Sequence, residues 1–300
     1  MRTIILAGGY ATRLWPLTAE RPKPLLPVAG RPILDYLLER LPQDRPILSV
    51  NRRFASQFAA WQAGSSREVE LAVEETESEE EKLGTVGAIA YLIERFNFDE
   101  DLLIVGGDNI LELDFKKFIS AYRGQPLLAL YDIGDLDKVR GRYGAALVEG
   151  ERIIDFQEKP KRPFSTLVST ACYIYPPAIF PLIREFLKQG QEGQDAPGYL
   201  NRWLLRQGVE LAAFVFHEGW FDIGDRASYI AANLHYIDGD LYLGKDVRIE
   251  GSTVRRSVIL DGALIKSSLI EDAVIDRGAE IVGLELRGAI VGAGARIRKD

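Results

Sequence analysis

The sequence predicts an α/β protein in which helices flank a mixed, mostly parallel sheet, with a small parallel β-helix at the C-terminal end. Two patterns predict this fold. Over the first 240 residues, short apolar runs alternate with segments whose apolar residues recur at helical spacing. Beyond that point, single aliphatic residues recur at every fifth or sixth position. We therefore expect two domains, residues 1–239 and residues 240–300.

The alternation in the first domain predicts a sheet that is covered by helices on both faces. The predicted strands are residues 3–7, 47–50, 69–73, 102–105 and 127–131. The predicted helices are residues 33–41, 54–63, 85–96 and 115–122. Ligands of such sheets bind beyond the carboxyl ends of the strands, so the residues after Ala7 and Val105 are the first candidates for a site.

The C-terminal pattern is typical of a hexapeptide-type parallel β-helix, in which each aliphatic residue stacks inside one face of a triangular coil. The recurring residues are Ile259, Ile265, Ile270, Ile275, Ile281, Leu286, Val291 and Ile297. A sandwich of short strands is the alternative. About three coils are few for an independent fold, so we expect this domain to pack on the first domain or to join copies of the chain into a homo-oligomer.

The composition is that of an ordinary water-soluble protein, with 47% hydrophobic and 27% charged residues. The net charge of −7 disfavours nucleic acid as a partner, because nucleic-acid-binding domains usually carry a basic face. No apolar run approaches the roughly 18 residues of a membrane helix, so we expect no membrane partner and a cytoplasmic location. One cysteine, Cys172, rules out an internal disulfide, and two histidines leave too few ligands for a structural zinc site.

The most informative segment is residues 6–32, LAGGYATRLWPLTAERPKPLLPVAGRP. Gly8 and Gly9 follow the first predicted strand at once, where they let the backbone turn sharply and present bare N–H groups. Arg13 and Lys23 follow, and a proline stands on each side of the lysine. Backbone donors and two cations together suit a triphosphate. The alternative is a tight turn with surface cations.

This segment resembles the opening signature of the sugar-phosphate nucleotidylyltransferases, the nucleotide-sugar pyrophosphorylases, L-A-G-G-x-G-T-R-L-x-P-L-T…P-K-P-L-L-P. Ala11 stands where that family usually has a third glycine, and its methyl group is tolerated if the local φ is negative. The resemblance implies a Rossmann-like catalytic domain and, as in glucose-1-phosphate thymidylyltransferase-like enzymes, a left-handed β-helix tail. It also implies that Arg13 and Lys23 are catalytic. The nucleotide-binding residues that it implies here are Leu6, Ala7, Gly8, Gly9, Thr12 and Arg13.

Two carboxylates lie in further motifs. Asp108 follows a predicted strand and two glycines, and Asp222 lies in the segment Gly219-Trp220-Phe221-Asp222-Ile223-Gly224. Taken alone, each aspartate would more often be a turn or cap residue. Both segments resemble motifs of the family, G-D and W-x-D-x-G. The resemblance implies that the two aspartates hold Mg²⁺, which prefers oxygen ligands and keeps several waters, and that Asp108 also contacts the nucleotide. We expect Asp225 to be a helix N-cap.

Tyr143-Gly144 and the run Glu158-Lys159-Pro160 resemble the family elements Y-G and E-K-P. The resemblance implies that Glu158 binds sugar hydroxyls, that Lys159 neutralises the sugar phosphate and that Gly144 contacts the sugar closely. A surface strand end is the alternative. Ser169–Tyr173 resembles a stretch that lines the sugar pocket, which assigns Thr170 to that pocket, with Ala171 in place of a glycine.

The segment Leu83-Gly84-Thr85 resembles the L-G-T-A-G stretch, which implies that Gly84 lies near the nucleotide base. We also expect Thr85 to cap the following helix. The acidic stretch 74–81 before it is expected to be a solvated loop. No side chain that reads the base can be aligned.

The expected activity joins a nucleoside triphosphate to a sugar 1-phosphate with Mg²⁺, giving a nucleotide sugar and pyrophosphate. The favoured substrates are dTTP or UTP and glucose 1-phosphate. The alternatives are a mannose-1-phosphate guanylyltransferase and a catalytically silent regulatory subunit that binds nucleotide sugars. Silent relatives commonly lose the metal carboxylates or the cations of the loop, and all four are present here.

Overall fold

The computed structural model describes residues 1–190 and 196–299. The helices are α1 Ile33–Arg40, α2 Ala55–Gly64, α3 Gly84–Phe96, α4 Phe115–Ala121, α5 Leu136–Val139, α6 Phe180–Lys188, α7 Pro197–Arg206 and α8 Arg226–Ile237. The strands of the first 222 residues are β1 Arg2–Leu6, β2 Pro27–Val28, β3 Arg31–Pro32, β4 Ile47–Asn51, β5 Glu70–Glu74, β6 Leu102–Gly106, β7 Asn109–Leu111, β8 Leu127–Asp132, β9 Ala145–Glu149, β10 Arg152–Gln157, β11 Leu167–Tyr175, β12 Leu211–Phe216 and β13 Trp220–Asp222. None of the described helices is both long and apolar enough to cross a membrane.

The chain divides into two compact units, each built from three separate segments. The first unit is Met1–Gly9, Leu37–Gly107 and Leu111–Trp220. The second unit is Tyr10–Tyr36, Asp108–Ile110 and Phe221–Asp300. The predicted domain boundary after residue 239 stays a prediction.

The first unit contains a nine-stranded sheet in the order β5-β4-β1-β6-β11-β8-β12-β10-β9. Strands β5, β4, β1 and β6 are parallel to one another, and β12 is parallel to β8. Strands β11, β10 and β9 pair in the antiparallel direction. The mixed α/β sheet is confirmed. Because the carboxyl ends of parallel strands meet at one edge, the residues that follow β5, β4, β1 and β6 share that edge.

Every predicted strand and helix of the first domain is present, with its ends within one residue of the prediction. Apolar runs account for this agreement. All five residues of β6 are buried, as expected for a strand inside a sheet that is covered on both faces. Helix α3 buries apolar residues that recur at helical spacing, such as Val86, Ile89 and Ile93, and these join a core with β1, β4 and β6.

The second unit ends in a parallel β-helix. Its strands are β14 Leu241–Leu243, β15 Arg248–Glu250, β16 Thr253–Arg255, β17 Ser257–Ile259, β18 Leu264–Lys266, β19 Leu269–Glu271, β20 Val274–Ile275, β21 Glu280–Val282, β22 Glu285–Arg287, β23 Ile290–Val291 and β24 Arg296–Arg298. They form three stacked parallel sheets, β14-β17-β20-β23, β15-β18-β21-β24 and β16-β19-β22. The fold is therefore a β-helix and not a sandwich. Its left hand and its hexapeptide class stay predictions.

The register of these sheets explains the spacing of the aliphatic residues. Ile259 pairs with Ile275, and Ile275 pairs with Val291 on the next coil. Ile265 and Ile281 pair in the same way on the second face. One coil therefore contains three aliphatic positions, one for each face, and their side chains stack into a single apolar core.

Residues 10–36 pack against α8 and the first coils within the second unit. Leu14, Leu17 and Leu26 share a core with residues of α8 and of β17. The Nη2 atom of Arg21 lies 3.1 Å from both carboxylate oxygens of Asp276, and both side chains are largely buried. The segment that carries Arg13 and Lys23 is thus fixed to the β-helix.

Replacing Asp276 with asparagine should lower the free energy of unfolding by about 2 kcal/mol, because the buried guanidinium of Arg21 loses its charged partner. Urea denaturation followed by circular dichroism measures this loss. Glu250→Gln is the matched control, since Glu250 pairs with Lys266 in an exposed ion pair and should contribute less than about 1 kcal/mol. Equal losses in the two variants would contradict this interpretation.

Candidate functional site

The first predicted phosphate-binding residues lie at the carboxyl end of β1. Leu6 is the last residue of the strand, and the N–H of Ala7 donates to the carbonyl of Ser49 at 2.8 Å. Gly8 and Gly9 follow. No heavy atom lies within 4 Å of the position that a Cβ would take at Gly9, so its backbone is open to a ligand.

Two polar side chains from neighbouring strands lie close to Gly8, and one of them bonds to it. Asn51, at the end of β4, donates its amide to the carbonyl of Gly8 at 3.0 Å. A Cβ at Gly8 would lie 2.7 Å from Oε1 and 2.8 Å from Oε2 of Glu74, the last residue of β5. Ser49 donates to Oε1 of Glu74 at 2.7 Å, and burial raises the pKa of this carboxyl. The expectation that the acidic stretch is a solvated loop is wrong for Glu74, which is 3% exposed.

The second unit gathers a lysine and two carboxylates. Nζ of Lys23 lies 2.8 Å from Oδ2 of Asp108 and 3.9 Å from Oδ1 of Asp222. Lys23 is 6% exposed and begins a short 3₁₀ turn that Pro22 precedes. Asp108 directly precedes β7, Asp222 ends β13, and these two strands pair. Residues far apart in the sequence thus meet at one ammonium group.

Burial and the charges of this cluster together shift the pKa values of both aspartates. Loss of water contact acts to raise the pKa of Asp108, but the ammonium of Lys23 and hydrogen bonds from Lys23 and Asn109 outweigh it, so the pKa is lowered. Desolvation raises the pKa of Asp222, and the negative charge of Asp108 adds to it against Lys23 and Arg13. The two carboxylates therefore repel each other, and additional positive charge between them would be stabilising.

Asp108 and Asp222 fit the Mg²⁺ ion that the resemblance implies. They supply carboxylate oxygens to one place, and a divalent cation would offset both the burial that raises the pKa of Asp222 and the repulsion from Asp108 that adds to it. Within residues 1–190 and 196–299, no group of three or more His, Cys, Asp or Glu side chains could hold a metal. The site therefore suits a cation that takes its remaining ligands from water and from substrate phosphates.

Arg13 lies beside this cluster. A Cβ at Gly224 would lie 3.4 Å from Nη2 of Arg13 and 3.7 Å from Oδ2 of Asp222. Thr12 begins the 3₁₀ turn that carries Arg13. The residue before it, Ala11, has φ 50° and ψ 43°. From the sequence, the methyl group of Ala11 is expected to be tolerated if φ is negative, and φ is positive. This left-handed backbone costs an L-residue roughly 1–2 kcal/mol.

Ala171, the second alanine at a position where the family has glycine, also has a positive φ, of 54°. It lies in β11, where the pairing with β8 is irregular between Ser169 and Tyr173. Both alanines therefore keep the backbone conformation that glycine adopts most easily. The substitutions change the side chain at these positions without requiring a different loop.

Asp225 is the N-cap of α8, as predicted. It accepts the N–H of Ser228 at 2.8 Å, and Oγ of Ser228 accepts the N–H of Asp225 at 3.0 Å, which completes a capping box. Helix α3 begins at Gly84, and its N-cap is Leu83, which makes no side-chain cap bond. The prediction that Thr85 caps this helix is therefore wrong.

In the first unit, the carboxylate of Glu158 fits between two glycines. A Cβ would lie 3.0 Å from its Oε2 at Gly144 and 1.8 Å from it at Gly198. The N–H of Gly198, in the first turn of α7, donates to this carboxylate. Burial raises the pKa of Glu158, although Lys159 and the bond from Gly198 act to lower it. No motif pointed to Gly198, because its importance comes only from contact with a residue on another element.

Lys159 and Thr170 differ in accessibility. Nζ of Lys159 is exposed and lies 3.9 Å from Oε1 of Glu158, and its backbone N–H donates to the carbonyl of Tyr143 at 3.1 Å. Thr170 is buried, and its hydroxyl donates to the carbonyl of Ala129 at 3.0 Å. Lys159 can therefore reach an anionic ligand, whereas the hydroxyl of Thr170 is engaged within the sheet. The predicted sugar contact of Thr170 stays a prediction.

A family model, several relatives and a solved structure match this chain. The family described as nucleotidyl transferase matches residues 2–239. A candidate mannose-1-phosphate guanyltransferase of Sulfolobus acidocaldarius is 29% identical over 85% of this chain and 75% of its own length. A mannose-1-phosphate guanylyltransferase of Mycobacterium tuberculosis is 27% identical over 98% of this chain and 80% of its own length. Among solved structures, a candidate glucose-1-phosphate thymidylyltransferase of Bacillus anthracis, crystallised with sucrose, has a TM-score of 0.64 and 25% identity over 82% of this chain and 98% of its own.

The matches and the motifs agree. The family covers most of the chain, including the segment 6–32 and both aspartates of the cluster. Its relatives are sugar-1-phosphate nucleotidyltransferases. The chain therefore belongs to the nucleotidyl transferase family.

Proposed function

We propose that this enzyme transfers a nucleotidyl group from a nucleoside triphosphate to a sugar 1-phosphate and releases pyrophosphate. The observation that carries the proposal is the buried ammonium of Lys23 beside the carboxylates of Asp108 and Asp222. Such a cluster is costly to assemble for stability alone, because buried ion pairs gain little over apolar packing. Perturbed carboxylates that gather around a cation are typical of functional sites.

In this reaction, an oxygen of the sugar phosphate attacks the α-phosphorus of the triphosphate. The bond from that phosphorus to the oxygen that bridges to the β-phosphate breaks, and pyrophosphate leaves with the electron pair. The nucleophile is already an anion, so no general base is required. Catalysis then depends on positioning and on charge stabilisation.

Arg13 and Lys23 neutralise charge on the α-phosphate and on the departing pyrophosphate. Backbone groups of the loop hold the nucleotide, and Gly84 lies against its base or ribose. The loop residues are Leu6, Ala7, Gly8, Gly9 and Thr12. Asp108 and Asp222 would hold Mg²⁺, and the ion would supply positive charge for the phosphate oxygens.

Glu158 accepts hydrogen bonds from the hydroxyls of the sugar, and Lys159 neutralises the sugar phosphate. A carboxylate suits the first task because it only accepts, and sugar hydroxyls donate. The bond from Gly198 fixes the direction of the Glu158 carboxylate. Gly144 has no side chain that would keep the sugar away.

The sequence favours dTTP or UTP with glucose 1-phosphate as substrates. A mannose-1-phosphate guanylyltransferase is the second candidate, and the names of the relatives from Sulfolobus and Mycobacterium support it. The presence of Arg13, Lys23, Asp108 and Asp222 in one unit supports an active enzyme over a silent regulatory subunit. Action in the cytoplasm and assembly of copies through the β-helix stay predictions.

Asp108→Asn and Arg13→Ala should each lower kcat about 100- to 1000-fold, because each removes one charge that stabilises the transition state. Release of pyrophosphate from a panel of triphosphates and sugar 1-phosphates measures this loss. Asp99→Asn and Arg123→Ala are matched controls at exposed positions outside the cluster and should keep normal turnover. Near-normal turnover in both Asp108→Asn and Arg13→Ala would reject the proposed function.

Gly198→Ala should raise KM for the sugar 1-phosphate about tenfold, the equivalent of one hydrogen bond of about 1.4 kcal/mol, because the new methyl group displaces the Glu158 carboxylate. KM for the triphosphate should stay unchanged. Gly64→Ala is the control, since no atom lies within 4 Å of its Cβ position. An unchanged KM for the sugar 1-phosphate in a folded Gly198→Ala protein would show that Glu158 does not bind the sugar.

A further inference from the structure

One corner of the β-helix is built from three residues on successive coils. Leu260, Asp276 and Gly292 directly follow β17, β20 and β23, and the register of these strands stacks the three residues one above the other. The N–H of Leu260 donates to the carbonyl of Ile275 at 2.8 Å, and the N–H of Asp276 donates to the carbonyl of Val291 at 2.9 Å. The pairing thus continues past the ends of the strands. We call these three residues the corner column.

The corner column lies against the segment 10–36, which carries both cations of the proposed reaction. Leu260 belongs to the apolar core that contains Leu14. Asp276 accepts two bonds from Nη2 of Arg21, both at 3.1 Å, and the two side chains are largely buried. Two successive coils therefore hold the segment, one by apolar packing and one by an ion pair.

The third coil leaves room for the segment. A Cβ at Gly292 would lie 3.0 Å from Cγ and 3.1 Å from Cβ of Pro16, so any side chain at this position would push the proline away. The φ of Gly292 is not positive, so the backbone itself does not require glycine here. The close approach of Pro16 explains this glycine.

Bonds within the segment connect Pro16 to Arg13. The hydroxyl of Thr18 donates to the carbonyl of Ala11 at 2.8 Å, and the N–H of Leu14 donates to the same carbonyl at 3.1 Å. The loop that contains Pro16 and Arg13 is therefore closed by its own hydrogen bonds. A displacement of Pro16 consequently changes the position of Arg13.

Arg21 is connected to Lys23 through one proline. Pro22 has φ −67°, which its ring fixes, and its carbonyl accepts the N–H of Leu25 at 3.0 Å. The turn that carries Lys23 thus begins next to Arg21 and has little freedom relative to it. The position of Arg21 on the β-helix therefore helps to decide where the ammonium of Lys23 lies.

We propose that the corner column positions the two cations for the transfer reaction. Asp276 acts through Arg21, and Gly292 acts through Pro16. Both are positioning residues and not catalytic residues, because they act through other side chains. The inference rests on the proposed function, and it gives the β-helix a part in the reaction besides the assembly of copies that the sequence predicts.

Fluorine NMR of the full chain labelled with 5-fluorotryptophan tests the placement of the segment without requiring turnover. Trp15, one of four tryptophans, directly precedes Pro16 and is 52% exposed. The resonance that disappears in Trp15→Phe belongs to it. Two test variants, Asp276→Asn and Gly292→Ala, should shift this resonance by more than its line width. The resonances of the other three tryptophans, all in the first unit, should stay in place.

Asp272→Asn and Gly239→Ala are the matched controls. Asp272 pairs with Arg256 through two bonds, at 2.9 Å and 2.7 Å, in an exposed position on the coils. A Cβ at Gly239 would lie 3.5 Å from the nearest atom, which is an ordinary contact distance. Neither control should move the Trp15 resonance. An unchanged Trp15 resonance in both folded test variants overturns the proposal.

Pyrophosphate release measures the consequence for the reaction. The kcat should fall about tenfold in Asp276→Asn and about threefold in Gly292→Ala, because misplacing a reacting or stabilising group by about 1 Å can cost roughly 100-fold and these shifts are smaller. KM for the sugar 1-phosphate should stay unchanged, since Glu158 and Lys159 lie in the first unit. Both controls should keep the kcat of the wild-type chain. Normal kcat in both folded test variants contradicts the proposal.

A double-mutant cycle separates positioning from a general loss of stability. Arg21→Gln and Asp276→Asn remove the two halves of one ion pair, so the combined variant should lose no more in kcat than the more affected single variant. Circular dichroism identifies a temperature at which every protein is folded. Losses in kcat that multiply would show that Asp276 does not act through Arg21, and the proposal would then be wrong.

The same proteins distinguish this inference from the proposed function. A shifted Trp15 resonance in the test variants, without turnover by the wild-type chain on any sugar 1-phosphate, supports placement by the corner column and contradicts the proposed transfer. Turnover by the wild-type chain, with unchanged kcat and resonance in the test variants, supports the transfer and overturns the role of the corner column. If Asp276→Asn does not fold, Gly292→Ala decides, because it leaves the ion pair of Arg21 intact.

Discussion

The buried ammonium of Lys23 is the constraint on which the second unit depends. A charge that is removed from water is stable only where opposite charges and hydrogen bonds replace the solvent. Asp108, which lies 85 residues away in the sequence, and Asp222 provide that replacement. Three distant segments must therefore come together around one side chain. Pro22 and Pro24 restrict the backbone on either side of Lys23, so part of the ordering is already present in the local sequence.

The contact of Lys23 with Asp108 and Asp222 also sets the charge distribution of the candidate site. The pKa of Asp108 is lowered by the lysine, and the pKa of Asp222 is raised by burial and by its acidic neighbour. Two carboxylates that repel each other favour the arrival of a cation and of the phosphates that accompany it. The stability of the unit and its readiness for a charged ligand thus follow from one arrangement of charges.

Much of the fold was predictable because its signals are local. Strand β6 is a continuous apolar run that ends in glycine, and the β-helix repeats one aliphatic residue on each face of each coil. The cluster around Lys23 was predictable only through motifs, since no local rule relates residue 23 to residue 222. Glu74 and Gly198 could not be found in this way. Glu74 looks like the first residue of an acidic loop, and Gly198 matters only because the Glu158 carboxylate approaches it.

The division of the chain into interleaved segments has a consequence for synthesis on the ribosome. The segment Tyr10–Tyr36 is made early, but the core that holds its apolar side chains, such as Leu14 and Leu26, is completed by residues of Phe221–Asp300. The first unit can acquire its sheet while the last segment is still unmade. Until translation ends, the growing chain therefore carries an unburied apolar stretch near its N-terminus, and chaperones that bind such stretches have their target there.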